Sequence, residues 1–72
     1  MLFGKKKLWD LEALLIRLEN DYTNNYKDAA KEDYEKLLER AAMLKATGEM
    51  SGKTAEYYLG EIEKWKTRAE SL

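Results

Sequence analysis

The sequence predicts an all-α fold, a small antiparallel three-helix bundle with helices at roughly 7–22, 26–46 and 52–71. Three observations predict it. Pro and Val are absent while Leu, Ala, Glu and Lys dominate, a composition that favours helix. Apolar residues recur at alternating spacings of three and four, which lines one face of a helix. One glycine-bearing segment and one cluster of weak helix formers divide that pattern into three stripes, and short connections favour antiparallel neighbours.

The first stripe is Leu8, Leu11, Leu15, Leu18 and Tyr22, with Leu14 beside it. Next comes NDYTNN, residues that make good caps and poor helix interiors, with Asn25 and Asp28 suited to an N-terminal cap. The alternative here is a single kinked helix from Leu8 to Ala46, because the break contains neither Gly nor Pro. The second stripe is Tyr26, Ala30, Tyr34, Leu37, Ala41 and Leu44, with Leu38 at its margin. Gly48 and Gly52 then mark a bend, with Ser51 placed to cap the third helix and Met50 and Ala55 at the positions of a hydrophobic staple. The third stripe is Ala55, Tyr58, Leu59, Ile62, Trp65, Ala69 and Leu72. Residues 1–72 read as a single domain, with 1–6 expected to fray.

Composition excludes most chemistry. The chain has no Cys and no His, which removes disulfides, thiolate nucleophiles and zinc sites, and no calcium-loop spacing of carboxylates occurs. No cofactor or metal is expected. No pair of carboxylates stands out as acid and base, and no nucleophile accompanies them, so the chain reads as a non-enzyme. The five tyrosines and two tryptophans fall mainly on core stripes, where rings fill a small interior.

Three lysines before an apolar stretch superficially resemble a secretion signal. Asp10, Glu12 and Arg17 interrupt that stretch and no small-residue cleavage site follows, so a cytoplasmic location without a membrane span is expected. Lys5, Lys6 and Lys7 themselves read as a solvated terminus with weak attraction for acidic surfaces. Thirteen cations against fourteen anions leave a net charge of −1, which removes long-range attraction to nucleic acid.

The segment GEMSGKT ends like a phosphate-binding loop, yet that motif needs a glycine five residues before Gly52, where Thr47 stands. Such a loop should also follow a buried strand rather than a helical stripe, so no nucleotide is expected. The longer stretch TGEMSGKTAEYYL resembles the turn and second helix of helix-turn-helix DNA-binding proteins. That resemblance implies Gly48 as the turn glycine, Met50 as the buried turn residue and Ser51 as the cap, with Ala55, Tyr58 and Leu59 facing the core. Lys53 and Tyr57 would then face DNA. The turn is one residue longer than the usual pattern, the preceding helix is long, and Glu56, Glu61 and Glu63 would stand near phosphates.

The first helix carries the more distinctive feature. At 100° per residue from Leu8 its main stripe centres at about 300°, whereas Trp9 falls at about 100°, Ile16 at about 80° and Ala13 at about 140°. Asp10, Arg17 and Asp21 flank this second strip on one edge, Glu12 and Glu19 on the other. An apolar strip rimmed by charge predicts an interaction surface made by Trp9, Ala13 and Ile16, with Leu8 and Leu14 adjoining. A symmetric homodimer is the simplest use of it. The alternative places the helix deeper between the other two, so that Trp9 and Ile16 complete the monomer core. The function expected is a regulatory or adaptor module binding a protein partner or itself, with the DNA-binding regulator as the alternative.

Overall fold

The computed structural model describes residues 7–72. Among these, three helices form and no strand does: α1 (Trp9–Thr23), α2 (Lys27–Thr47) and α3 (Gly52–Glu70). The expected fraying of 1–6 lies outside the described residues. The bundle measures 36 × 25 × 19 Å. Asp10 pairs with Arg40 and Arg17 with Asp33, so α1 and α2 run antiparallel. Tyr58 meets Leu8 and Glu12 near the start of α1, and Trp65 meets Tyr22 near its end, so α3 runs parallel to α1.

One core joins the three helices. Leu8, Leu11 and Leu18 enter it from the first segment, Ala30, Leu37, Ala41 and Leu44 from α2, and Tyr58, Ile62 and Trp65 from α3. Met50 closes it from the turn. Each set follows the three-and-four spacing that aligns side chains on one helical face.

Both breaks owe their shape to a left-handed residue. After α1, Asn25 adopts φ 63°, its N–H donates to the Tyr22 carbonyl at 3.1 Å, and the Tyr26 N–H donates to the Asp21 carbonyl at 2.8 Å. These are the two bonds of a Schellman ending, with asparagine in the place usually taken by glycine. Two separate helices result, not one kinked rod, and Asn25 ends α1 instead of capping α2. The residue before α2 is Tyr26, and no side chain caps that end.

After α2, Gly48 takes φ 84°, and Gly52 opens α3 at φ 58°. Both positions suit glycine because a Cβ is strained there. The glycine of the GKT segment thus answers a backbone requirement. Ser51 occupies the cap position and its carbonyl accepts the Ala55 N–H at 3.3 Å, but its hydroxyl makes no capping bond.

Several expectations about burial need correction. Tyr22 is 36 % and Tyr26 60 % exposed: Tyr26 lies in the turn, and Tyr22 lies on the last turn of α1, edge-on to Trp65 at 5.3 Å. Leu59 is partly exposed because α3 turns Tyr58 and Ile62 inward instead. Leu8 is buried, as its place on the inward stripe predicts, and so does not adjoin the outer strip, and Leu14 is half-buried against the core. The first helix also starts two residues later than expected. Leu8 is extended, and its N–H is drawn to the Tyr58 hydroxyl at 2.9 Å.

Candidate protein-docking strip on α1

Trp9 is 71 % and Ile16 61 % exposed, and Ala13 between them is exposed as well. Neither large side chain completes the monomer core. The reason lies in what stands on either side of the strip. On one edge Asp10 binds Arg40 and Arg17 lies 3.8 Å from Asp33, which ties that edge to α2. On the other edge Glu12 accepts a 2.6 Å hydrogen bond from the Tyr58 hydroxyl, which ties that edge to α3. The two neighbouring helices thereby occupy the flanks of α1 and leave the strip between them facing out.

Two further residues extend it. Lys7 sets its ammonium 4.8 Å from the centre of the Trp9 ring, a cation over an aromatic face. Asn20, one step of four beyond Ile16, is exposed. Sequence reasoning stopped at Ile16 because it followed apolar residues only; the spacing 9, 13, 16, 20 was the signal that could have found Asn20. Beside Trp9, a shallow groove of about 210 Å³ is lined by Lys7, Leu8, Asp10, Arg40, Leu44 and Glu49.

The contacts at the two edges of the strip are polar, and apolar periodicity does not reveal them. Tyr58 is buried; its hydroxyl donates to Glu12 and accepts the Leu8 N–H, which fastens the start of α1 to α3. Burial, then the Glu12 hydrogen bond, pushes its pKa up to about 12, while the Leu8 N–H pulls the other way. Asp33 is 5 % exposed on the inner face of α2. Its carboxyl is pushed up to about 6, first by burial and then by the hydrogen bond to, and negative charge of, Asp21, against the pull of Arg17 and Lys36. Among the described residues no donor reaches the buried Asp33 Oδ2, which together with the neighbouring Asp21 favours the protonated form of Asp33. The spacing 30, 33, 37 places Asp33 with Ala30 and Leu37 on one face; following apolar residues selected Tyr34 instead.

The residues singled out by the helix-turn-helix resemblance lie elsewhere. Lys53 is exposed in the first turn of α3, and Tyr57 is partly exposed, edge-on to Tyr58 at 4.9 Å. They are separate from the α1 strip, and Glu56 and Glu63 are exposed on the same helix. Among the described residues no group of three or more His, Cys, Asp or Glu side chains could hold a metal ion. No helix among them is long and apolar enough to cross a membrane.

Comparison of the chain with protein-family models, curated proteins and solved structures finds no match. The functional reading therefore rests on this geometry.

Proposed function

We propose that the chain is a non-enzymatic protein-interaction module of the cytoplasm, with a regulatory or adaptor role, and that it self-associates through the outer strip of α1. The exposure of Trp9 and Ile16 on a helix whose two flanks are already engaged supports this reading. Tryptophan is among the residues that most often anchor an interface, and an apolar strip within a charged rim has the anatomy of one. A patch that meets its own copy requires no second protein.

Sedimentation equilibrium tests the proposal. Between about 10 μM and about 1 mM the average mass should climb toward that of a dimer, an affinity range matched to a small patch. Trp9→Glu should hold the chain monomeric with its far-ultraviolet dichroism unchanged. A monomer at every concentration, or a variant that associates as the original does, would overturn it.

The DNA-binding alternative draws on the left-handed Gly48 and the buried Met50, which give the α2–α3 connection the features of such a turn. It predicts retention on duplex DNA that weakens with salt and falls when Lys53 is replaced by Ala. Failure to retain at low salt removes it.

A further inference from the structure

The strip of Trp9, Ala13, Ile16 and Asn20 advances by four, three and four residues, the alternation along which two helices pack lengthwise. Laying it on a copy of itself leaves two orientations, parallel and antiparallel, and they differ in which charges meet.

The charge left on this segment after intramolecular pairing is polarised from end to end. Asp10 is offset by Arg40, and Arg17 lies against Asp33. At the N-terminal end there remains Lys7, the nearby Glu12 being held by the Tyr58 hydroxyl. At the other end stands Glu19, with Asp21 against Asp33 on the α2 edge, and the last turn of α1 holds no basic residue. A parallel pair would bring lysines beside lysines and acids beside acids, and would align the two helix dipoles. An antiparallel pair sets each basic end against an acidic one.

We propose that a second copy of the chain docks on α1 antiparallel, about a two-fold axis that sets Ala13 against the partner's Ile16 and Trp9 against the partner's Asn20. This rests on the self-association proposed above and specifies its geometry. In this register the small Ala13 makes room for a branched side chain, and the Asn20 amide lies toward the Trp9 indole. On the α2 edge Asp10 and Arg17 stay engaged with Arg40 and Asp33 of their own chain and add no charge pair across the seam. On the α3 edge Glu12 and the partner's Glu19 approach each other, but Glu12 is held toward the Tyr58 hydroxyl and off the seam. Lys7, beside Trp9, lies toward the partner's Glu19. With two large apolar side chains per copy the contact falls below the roughly 800 Å² per partner of a standard interface, so the dimer is weak.

Two measurements test the orientation. The chain has no Cys, so Thr23→Cys carries a single spin label, read by double electron–electron resonance at dimer-forming concentration. At 1.5 Å per residue the antiparallel register separates the two labelled positions by roughly 25 Å along the axis, whereas a parallel pair leaves only about 10 Å between the helix axes. In the second, Lys7→Glu and Glu19→Lys each weaken dimerisation about three- to tenfold. Together they recover it to within about twofold of the original, because the exchanged charges meet across the interface.

A short label distance, or a double variant no better than its parents, overturns the antiparallel geometry while self-association stands. The absence of any dimer at about 1 mM removes both.

Discussion

Asp33 is the residue at which the fold departs furthest from an apolar core. Its folded pKa of about 6 lies above the unfolded value of 3.8, so between these values the folded chain holds a proton that the unfolded chain has lost. The group's contribution to stability is therefore greatest below about pH 4 and declines as pH rises through about 6. Asp33→Asn keeps the shape without the charge. It should raise stability at pH 7.5 by about 1–2 kcal/mol and flatten the stability profile between pH 4 and 6, as measured by urea denaturation across pH. A variant less stable at pH 7.5, with the slope unchanged, would show that the Arg17 contact outweighs burial. Tyr58 presents the opposite case, a buried hydroxyl with both a donor and an acceptor. Tyr58→Phe leaves the Leu8 N–H and the Glu12 carboxylate without it and should cost about 1–3 kcal/mol in the same assay.

At the scale of elements, three left-handed residues shape the two breaks, while Asn24, Thr47 and Ser71 each donate a side-chain hydrogen bond to a carbonyl of the last turn of their helix. Asn25, Gly48 and Gly52 carry positive φ, and none of the three helices has a side-chain hydrogen bond at its N-cap. Open space surrounds the position where a Cβ would sit on Gly52, so Gly52→Ala tests backbone strain alone and should lower stability by about 1–2 kcal/mol. Asn25→Gly should be neutral or slightly stabilising, since glycine is freer in that conformation. Thermal unfolding of the two variants side by side checks the contrast. The bend at 48–52 was legible because its glycines are conspicuous. The turn at 24–26 was legible only as a weak spot, because asparagine serves both as an N-cap and as a left-handed residue. Letters alone do not choose between those roles.

For the whole molecule the question is how three stripes share one interior. A chain of this length has a modest core, typically worth no more than about 3–5 kcal/mol net without a staple, so association should register as stability. The melting temperature of the original chain should rise with concentration over the range in which it dimerises, and that of Trp9→Glu should not. A melting temperature independent of concentration while sedimentation shows a dimer would mean that the dimer dissociates before the melt or that the unfolded chain associates as well. The strip itself could be seen in the sequence as a surplus of apolar residues on the first helix. Whether that surplus lay inside or outside could not be seen.

By itself the sequence determined the helical segments, most of their inward residues and the glycine bend, because these depend on spacing and backbone freedom among near neighbours. It also placed Trp9, Ala13 and Ile16 on one side of a helix. Tertiary structure decided that this side faces solvent, because α2 takes the Asp10 and Arg17 edge through Arg40 and Asp33 while α3 takes the Glu12 edge through Tyr58. It also decided that Asp33 lies inside and Tyr26 outside. Those outcomes depend on contacts between residues sixteen to forty-six apart in the chain, which a local periodicity does not encode.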